Sequence, residues 1–574
     1  MKSRTFYSAI AVVAGLLVLI GLAGFWGLTA QNPRSLLARG GQAVPTAAQF
    51  VPRQAPLMAS LLARPDRLWQ LRQVLTPSRR RYAARQEWQA LQQSLEETLG
   101  WRYDTDLRPW LDQEVTFAVT TTDLDRSATN GLQPGYLAVL SCRDAAAAQE
   151  ALHLLWQQRA ATGRSLVFET VSGISLIYDK PPTDGAFQGL EGLSLGTAVG
   201  PNLASAMVGD RYVLLANSPQ VLREAIATSQ APDVSLARAA NYRAALAKLP
   251  PQRIGWLYAN VPNLLTWLGL AEGAAPQPIA AAGQAANSLF VSWRAFPAGL
   301  LGDTAIAAAP GDAFGTSPAP LPSALPALSL LPPATVFATA GTDLAQRLAD
   351  LKTAIGGYDI TQRSFQALLA ALSLPTADLP PDLWVPLQQE YALGTLPGAD
   401  APWVLVTKGT AEPPFAAIDA FAQGQGINVS QVPLGDRTIT TWTRLTLTRT
   451  APDRPLTLTT QVVGVHTTID GYGVLANSLA GLQQVLENSP TASLVKAPAF
   501  TQLTANLGET TDTLAYVNWP AIAPTLTRRL PWLRALEQAG QPLTAHLGPM
   551  VLSSYGGTAA LQEGAIAIKL LETP

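Results

Sequence analysis

Two serines of this sequence stand in patterns that some enzymes use for nucleophilic catalysis. Ser194 lies in GLSLG, which fits the G-x-S-x-G elbow of hydrolases, and Ser493 with Lys496 fits the S-x-x-K pattern of serine–lysine enzymes. An elbow needs a strand before its serine and a helix after it, but glycine-rich sequence flanks Ser194 on both sides. A related stretch, SLAR, ends in Arg238 instead of lysine, and a guanidinium cannot act as a base. Neither pattern predicts a catalytic serine.

Metal ligands do not occur at recognisable spacings. The three histidines, His153, His466 and His546, belong to no zinc motif, and Cys142 is the single cysteine. The stretch that begins at Asp123 starts like a calcium loop but has alanine where an EF-hand needs glycine. We therefore expect no catalytic, cofactor-binding or metal-binding residues and no cofactor.

Composition sets further limits on function. The chain has 574 residues, of which 48% are hydrophobic and 14% charged, so it can bury large cores. A formal net charge of -1 provides no general attraction for phosphates, which argues against nucleic acid as a partner. One cysteine excludes an intramolecular disulfide.

The N-terminus has the composition of a membrane anchor. Lys2 and Arg4 precede an uncharged apolar run from Phe6 to Ala30, which is long enough to span a bilayer. We predict an anchor over residues 1–31 and a juxtamembrane linker over 32–47. The basic end should stay cytoplasmic, which places the bulk of the chain outside the cytoplasm. A cleaved signal peptide that ends near Ala30 is the alternative.

A basic cluster follows the predicted anchor. Arg79, Arg80 and Arg81 stand together in TPSRRRYAARQEW. A solvated helix face is the ordinary interpretation. The alternative is contact with anionic lipid, because juxtamembrane basic residues gain about 1 kcal/mol each at such a surface.

The chain carries an internal repeat. LLANSPQVL, from Leu214, returns as VLANSLAGL, from Val474, and further stretches match in the same order on both sides. We predict two copies, over residues 48–309 and 327–574, with a Pro-rich linker over 310–326. The repeated Asn-Ser falls where a strand ends and a helix begins. Ser218 and Ser478 are therefore predicted helix N-caps, with an architectural role.

The repeat predicts the fold class. GYLAVLS reads as a strand, and the following DAAAAQEALHLLWQQ places Ala148, Leu152, Leu155 and Trp156 on one helical stripe. LVFETVSGISLIY reads as a hairpin that turns at Ser172-Gly173. We predict an α+β fold: two tandem homologous domains, each a mostly antiparallel sheet with helices packed on one face, after an N-terminal transmembrane helix. Tyr258 should correspond to Tyr516, and Trp293 to Tyr555.

Several stretches occur together in this chain: the anchor, FVPRQAPLMASLLARPDRL, DTDLRPWLDQEVTFAVTTTDLDR, PGYLAVLS and GDRYVLLANSP. In this combination, and over the full length, the sequence resembles a cyanobacterial family known only as domain-of-unknown-function family 3352. The resemblance implies a photosynthetic bacterium, with the bulk of the chain in the periplasm or thylakoid lumen. It implies no activity and no site.

The favoured function is that of a non-catalytic, membrane-tethered binding, assembly or scaffold factor with a protein partner. Two tethered copies of one domain can raise avidity through effective concentration. The first alternative is an extracytoplasmic hydrolase with a non-linear active site, in which Ser194 with His466, or Asp112 and Glu114, are the first candidates. The second is a carrier of lipid or pigment, which would need a large apolar cavity.

Overall fold

The computed structural model describes residues 44–64, 101–127, 132–180, 203–267, 287–296, 299–309, 313–314, 326–343, 389–398, 402–408, 415–424, 426–448, 457–488, 492–508, 513–529 and 546–571. The predicted anchor, the Arg79–Arg81 cluster, Ser194 and most of the predicted linker 310–326 lie outside the described residues. Within those ranges, no helix is both long and apolar enough to cross a membrane.

The described residues of the first half of the chain form ten strands and four α-helices. The strands are β1 (Leu57–Leu61), β2 (Leu111–Thr121), β3 (Gly135–Cys142), β4 (Leu166–Val171), β5 (Ile174–Asp179), β6 (Ala204–Val208), β7 (Tyr212–Ala216), β8 (Gly255–Asn260), β9 (Ser288–Phe296) and β10 (Gly299–Ala307) among the described residues. The helices described there are α1 (Ala145–Ala161), α2 (Pro219–Gln230), α3 (Ala240–Lys248) and α4 (Val261–Trp267). A 3-10 helix, Thr46–Phe50, precedes β1.

The second half repeats this succession of elements. Its described strands are β11 (Phe337–Thr342), β12 (Glu390–Thr395), β13 (Trp403–Lys408), β14 (Asn428–Leu434), β15 (Arg437–Thr448), β16 (Thr457–Ile469), β17 (Tyr472–Ala476), β18 (Thr513–Asn518), β19 (Leu547–Gly557) and β20 (Leu561–Leu570). Its described helices are α5 (Pro326–Ser329), α6 (Ala416–Gly424), α7 (Leu479–Leu486), α8 (Pro498–Thr504) and α9 (Trp519–Arg529).

All these strands form one antiparallel sheet of 20 strands. Its order is β4-β5-β6-β7-β3-β2-β1-β8-β9-β10 and then β20-β19-β18-β11-β12-β13-β17-β16-β15-β14. The predicted pair of tandem domains, each with its own sheet, is therefore wrong. The two halves share one sheet because β10 pairs with β20. The sequence did not predict this pairing, because hydrophobic periodicity identifies a strand but not the strand it will pair with.

Helices cover both faces of the sheet, so the prediction of one covered face is also wrong. Val139 of β3 is buried with Leu222 of α2, whereas the next residue, Leu140, is buried with Leu155 of α1. Successive side chains of a strand point to opposite faces. Helices α1 and α2 consequently lie on opposite sides, which we name the α1 face and the α2 face. The unbroken apolar run of β3 reflects burial on both sides.

The second half has the same layers. Val406 of β13 is buried with Leu482 of α7, and its neighbour Leu405 is buried in the cluster that contains Ala422 of α6. Helix α6 thus corresponds to α1, and α7 to α2. Each half has a hydrophobic core on both faces, and the core of the second half on the α2 face also includes Phe296 and Leu301 of the first half.

Several local predictions are confirmed. Asp144 is the N-cap of helix α1, where its side chain accepts a hydrogen bond from the backbone N–H of Ala147, and the helix buries the predicted stripe. Ser218 and Ser478 are both N-caps: each side chain accepts a backbone hydrogen bond, from residues 220 and 481, at 3.2 Å. The role assigned to the repeated serine is therefore correct.

The repeated asparagine also has a structural role. Asn217 Oδ1 accepts a hydrogen bond of 2.8 Å from the backbone N–H of Tyr136, and Asn477 Oδ1 accepts one of 2.9 Å from that of Trp403. Each asparagine thus joins the end of one strand to the beginning of its neighbour, β3 or β13. The Asn-Ser repeat is a joint between strand and helix in both halves.

Of the two predicted aromatic correspondences, one holds. Tyr258 and Tyr516 occupy the same place in β8 and β18, which pair with β1 and β11 respectively. Three positions before these tyrosines stand Gly255 and Thr513, which are therefore equivalent. Gly255 pairs with Trp293, whereas Thr513 pairs with Ser554. Trp293 therefore corresponds to Ser554 and not to Tyr555. A β-bulge after Ser554 accounts for this one-residue error.

The β10–β20 pair joins the two halves at the middle of the sheet. Its nine residue pairs run from Gly299 opposite Lys569 to Ala307 opposite Leu561, with Asp303 opposite Ala565 at the centre. An ion pair, Lys248 Nζ to Glu563 Oε1 at 3.1 Å, links α3 of the first half to β20. We call this pair of strands the junction.

The junction is symmetric. Gly302 pairs with Trp293 and Gly564 pairs with Ser554, so these glycines are equivalent, as are the residues that follow them, Asp303 and Ala565. An antiparallel pair centred on equivalent residues has a local two-fold axis perpendicular to the sheet. Such an axis maps each face onto itself, so α2 and α7 lie on the same side of the sheet.

Candidate functional site

The hydroxyl and amine suggested by the S-x-x-K pattern are not brought together. Ser493 is buried, with 1% of its surface exposed, whereas the side chain of Lys496 is exposed to solvent. His153 is exposed on α1, and Nδ1 of His546 lies 3.2 Å from the main-chain oxygen of Leu571. Ser194 lies outside the described residues. None of the serine patterns forms a site within the described part of the chain.

The loop that starts like a calcium site carries two neighbouring carboxylates. Asp123 is buried and accepts a hydrogen bond from the backbone N–H of Gln133, while Asp125 accepts one from the side chain of Gln133. Burial, with the nearby Asp125, raises the pKa of Asp123. Among the described residues no group of three acidic, histidine or cysteine side chains is placed to hold a metal ion.

Glu114, an early candidate for acid–base chemistry, is occupied by the fold. It is 6% exposed, and its carboxylate accepts hydrogen bonds from the backbone N–H groups of Thr46 and Ala47, at 2.9 and 3.0 Å. These are the first N–H groups of the 3-10 helix before β1, which have no partner within that helix. Thr116 Oγ1 donates to the same carboxylate at 3.0 Å. Glu114 thus fastens the entry of the first half onto β2.

Glu390 holds the corresponding position in the second half. Its Oε1 accepts a hydrogen bond from the backbone N–H of Ala327, at the start of α5, over 2.9 Å. Its Oε2 accepts one from the hydroxyl of Tyr472 over 3.0 Å. Burial and the nearby Glu390 raise the pKa of Tyr472 to about 12. The same carboxylate therefore caps a short helix in both halves, which indicates a structural role.

Among the described residues of the second half, an acid lies against a buried imidazole. Asp419 Oδ1 lies 2.8 Å from Nε2 of His466 and accepts a hydrogen bond of 2.7 Å from Nε1 of Trp442. The side chain of His466 is 6% exposed and that of Asp419 21%. The rings of Phe415 and Trp442 meet the imidazole edge-on, at centroid distances of 5.1 and 5.6 Å. We call these four residues the Asp419–His466 cluster.

Three elements place this cluster on the α1 face of the sheet. Asp419 comes from the first turn of α6, Trp442 from β15 and His466 from β16. Gly464 lies opposite Trp442, and a Cβ at Gly464 would come within 2.4 Å of the indole ring. Glycine at this place lets the indole lie across β16 and reach Asp419.

The first half has a different hydrogen bond at the corresponding place. Ser205 lies opposite Leu215 and His466 opposite Leu475, and both leucines stand two residues before the repeated asparagine. Ser205 Oγ accepts a hydrogen bond of 2.8 Å from Nε1 of Trp156 in α1. Both halves thus fasten a helix to the same strand position, but only the second half does so with an acid and a base.

A carboxylate held against an imidazole fixes the orientation and tautomer of the ring. In hydrolases such a pair serves as orienter and general base once a nucleophile lies at the second ring nitrogen. The Asp419–His466 cluster therefore has the acid–imidazole contact that a catalytic triad also uses, and among the described residues no nucleophile forms a hydrogen bond with the imidazole. The same contacts also hold α6 onto the sheet, so they are equally what a purely structural role would require.

The comparisons with known proteins give a family. A family model described as a protein of unknown function, DUF3352, matches residues 10–570. The chain belongs to this family. No curated protein and no solved structure matches it.

Within this DUF3352 chain, Asp419 is the site residue that sequence reasoning missed. Asp419 and His466 are 47 positions apart and belong to no linear motif, so their contact depends on how α6 is laid on the sheet. One local signal was present. A glycine two residues before the histidine in VVGVHTTI leaves room on the same face of the strand for a large neighbouring ring.

Removing the Asp419 carboxylate should destabilise the second half of this DUF3352 protein. We expect Asp419→Ala to lower the free energy of unfolding by about 2–3 kcal/mol, because it leaves the buried donors of Trp442 and His466 without an acceptor. Asp419→Asn keeps an acceptor and should cost less. Urea unfolding, followed by the tryptophan emission that Trp442 contributes, measures both. Equal stability of Asp419→Ala and the wild type would contradict this account.

Proposed function

We propose that this protein is a membrane-tethered, non-catalytic binding or assembly factor that presents two related surfaces to a protein partner on one side of a single sheet. The observation that supports this function is the symmetric register of the junction, with Asp303 opposite Ala565. The two-fold axis there is perpendicular to the sheet. Equivalent helices of the two halves, α2 with α7 and α3 with α8, consequently face the same way.

Two equivalent surfaces on one side can contact one partner together. Once the first surface is bound, the second meets its target at a high effective concentration, which increases avidity without a new kind of contact. Two flexibly linked domains would lose part of this gain to orientational freedom. Pairing at the junction, together with the Lys248–Glu563 ion pair, restrains that freedom.

The tether is part of the proposal. Residues 1–31 would hold the chain in the plasma or thylakoid membrane of a cyanobacterium, with the N-terminus cytoplasmic and the bulk in the periplasm or thylakoid lumen. The motive is the uncharged run from Phe6 to Ala30 after two basic residues. Arg79, Arg80 and Arg81 would add contact with anionic lipid headgroups. Carbonate washing should leave the full chain in the membrane pellet, and release into the supernatant would exclude the anchor.

Affinity purification of the full chain from its own membranes tests the assembly function. We expect a complex of fixed stoichiometry, measured by native mass spectrometry, because two equivalent surfaces favour a defined partner over a mixture. Gly424→Ala, at the end of α6 with no atom within 4 Å of the new methyl group, is a matched neutral variant that should recover the same complex. Recovery of the bare chain from solubilised membranes under several mild detergents would contradict the proposal.

A hydrolase is the second candidate, because Asp419 orients His466. It would require a nucleophile at the free side of the imidazole, and Ser194 is the first to test. Turnover of ester substrates by the purified chain that is lost in both His466→Gln and Ser194→Ala would favour catalysis over assembly. Activity that survives both substitutions would remove the cluster from consideration.

A further inference from the structure

The two outer edges of the sheet are equivalent strands that differ in how they meet solvent. Strand β4 (LVFETV) pairs with β5, and β14 (NVSQVPL) pairs with β15; among the described residues neither has a second neighbour. An unpaired edge presents backbone N–H and C=O groups that can accept another strand. Natural proteins obstruct such edges with proline or charge, so the side chains along each edge indicate whether it is closed.

Hairpin register shows which groups of β4 point outward. The β4–β5 turn is Ser172-Gly173, with φ angles of 50° and 80°, and in a two-residue hairpin the flanking residues form a hydrogen-bonded pair. Alternate residues then point away from β5. Asp179 lies opposite Leu166, and its backbone N–H donates to the main-chain oxygen of Leu203, next to β6. This bond points away from β4, so Leu166 and Asp179 are not a hydrogen-bonded pair. Leu166, Phe168 and Thr170 therefore present their N–H and C=O groups to the open side.

The same register shows that β14 is closed. Its turn is Gly435-Asp436, so Leu434 is its flanking residue and Pro433 is the first outward-facing position. Proline has no backbone N–H, so a further strand on this edge could not accept a hydrogen bond from position 433. In β4 the position at the same distance from the turn is Thr170, which keeps its N–H. The second half therefore has a proline, Pro433, at the position where the first half has a backbone N–H donor, that of Thr170.

The side chains of β4 also suit a partner strand. Phe168 is 72% exposed, although it lies at the middle of the edge. No residue of β4 is lysine or proline, the types that usually protect an edge. Glu169, its one charged residue, is half-buried and is bonded to Arg223 of α2 at 2.7 Å, so its charge is paired and lies on the α2 face of the strand, opposite to that of Phe168.

The charge at one end of β4 specifies the partner further. Arg164 and Lys180 are exposed beside the start of the strand, where the guanidinium of Arg164 lies 4.0 Å from Oδ2 of Asp179 and the backbone N–H of Lys180 donates to Ser165. Asp179, which bonds Arg159 and is 3% exposed, is the one acid at that end within the described residues. An antiparallel strand on the open edge would end beside Arg164 and Lys180, where a carboxylate is favoured.

We propose that β4 is a docking edge that binds an extended segment of a protein partner, antiparallel to β4, apolar at the position facing Phe168 and acidic at its C-terminal end. This inference rests on the proposed assembly function and adds, to the two equivalent surfaces, a contact at the outer edge of the first half that the second half does not repeat. Main-chain hydrogen bonds supply affinity in this mode, and alternate side chains supply specificity. The outward N–H groups of Leu166, Phe168 and Thr170 form the ladder.

A defined peptide tests the edge without knowledge of the natural partner. The probe is a fluorescently labelled peptide with the sequence of β5, ISLIYD, which already pairs antiparallel with β4 on its other side and ends in an acid. We expect the detergent-solubilised full chain to raise the anisotropy of this peptide. The peptide ISLIYK should bind at least threefold more weakly, because it places a cation beside Arg164 and Lys180.

Matched variants separate edge binding from other attachment. Thr170→Pro reproduces the closed edge of β14 and should reduce affinity at least tenfold, while the ladder with β5 is unaffected because that N–H points outward. Phe168→Lys should do the same through charge and needs no backbone change. Val432→Lys, on the closed edge and 40% exposed, should leave affinity unchanged. Thermal unfolding of each variant checks that the fold is retained.

The possible results decide between the two proposals. The docking edge is overturned if the wild type does not bind the peptide, or if Thr170→Pro and Phe168→Lys bind it as tightly as the wild type does. A natural complex that survives Thr170→Pro also overturns it but leaves the assembly function in place. Peptide binding with no natural complex supports the edge and overturns the assembly function. A wild-type dimer that Thr170→Pro converts to a monomer identifies a second copy as the occupant and overturns a different protein as partner.

Discussion

Gly299→Ala should lower the free energy of unfolding by about 3 kcal/mol or more. A Cβ at this position would stand 1.7 Å from the carbonyl oxygen of Ile568 and 2.8 Å from its carbonyl carbon. Both atoms are backbone of the strand across the junction, so no side-chain rotation can relieve the contact. Strand β10 would have to move away from β20.

Urea unfolding followed by circular dichroism measures this effect, and the shape of the transition adds information. The main cores of the two halves are separate clusters that share few residues across the junction, with Phe296 and Leu301 in the second core and Leu561 against the first. A weakened junction should therefore convert one cooperative transition into two. Gly424→Ala is the matched control, because it adds the same methyl group to a helix position with free space and should not destabilise. Wild-type stability in Gly299→Ala would contradict the tight approach of the two strands.

Glu114→Ala should destabilise the protein by about 3–4 kcal/mol. The substitution leaves the N–H groups of Thr46 and Ala47 and the hydroxyl of Thr116 without their buried acceptor. It also releases the 3-10 helix that precedes β1. Glu114→Gln retains part of the hydrogen bonding and should cost less.

The equivalent residue of the second half provides an internal comparison. Glu390 accepts from one backbone N–H and from the hydroxyl of Tyr472, so Glu390→Ala should cost roughly half as much as Glu114→Ala. Thermal unfolding of both variants, at a pH where carboxylates are ionised, measures the difference. If Glu390→Ala lost more stability than Glu114→Ala, the number of hydrogen bonds to the carboxylate would not determine how much it stabilises its half.

Local structure was predictable where a short pattern determines it. The Ser172-Gly173 turn follows from glycine between two apolar alternations, and the N-caps Ser218 and Ser478 follow from a serine before helical spacing. These features depend on neighbours within a few residues. The strand order could be expected to recur because the sequence itself recurs.

The sheet as a whole was not predictable from those patterns. Nothing in β10 or β20 marks them as partners, since an apolar alternation fits any open edge of the right length. The sequence does contain a signal for helices on both faces, which the prediction of one covered face did not use. The unbroken apolar run YLAVLS is typical of a strand buried on both sides.

The candidate site shows the same division. The charge of Glu114 makes it a candidate for acid–base chemistry, but its role depends on a helix start that lies 68 residues earlier in the chain. His466 is a candidate because histidine is rare in this chain, whereas its partner Asp419 lies on a helix with no motif. Pairs made by packing one element on another cannot be read from spacing along the chain.

The junction also determines the order in which the molecule can be completed. Strand β10 is synthesised more than 250 residues before β20, the last described strand, which must satisfy its open edge. A contact between such distant segments closes late, because chain entropy opposes it until both halves are folded. Until then the newly made first half carries a nine-residue edge able to pair with another molecule. Correct biogenesis therefore depends on shielding β10 during synthesis, and failure at that step would exchange β20 strands between neighbouring chains.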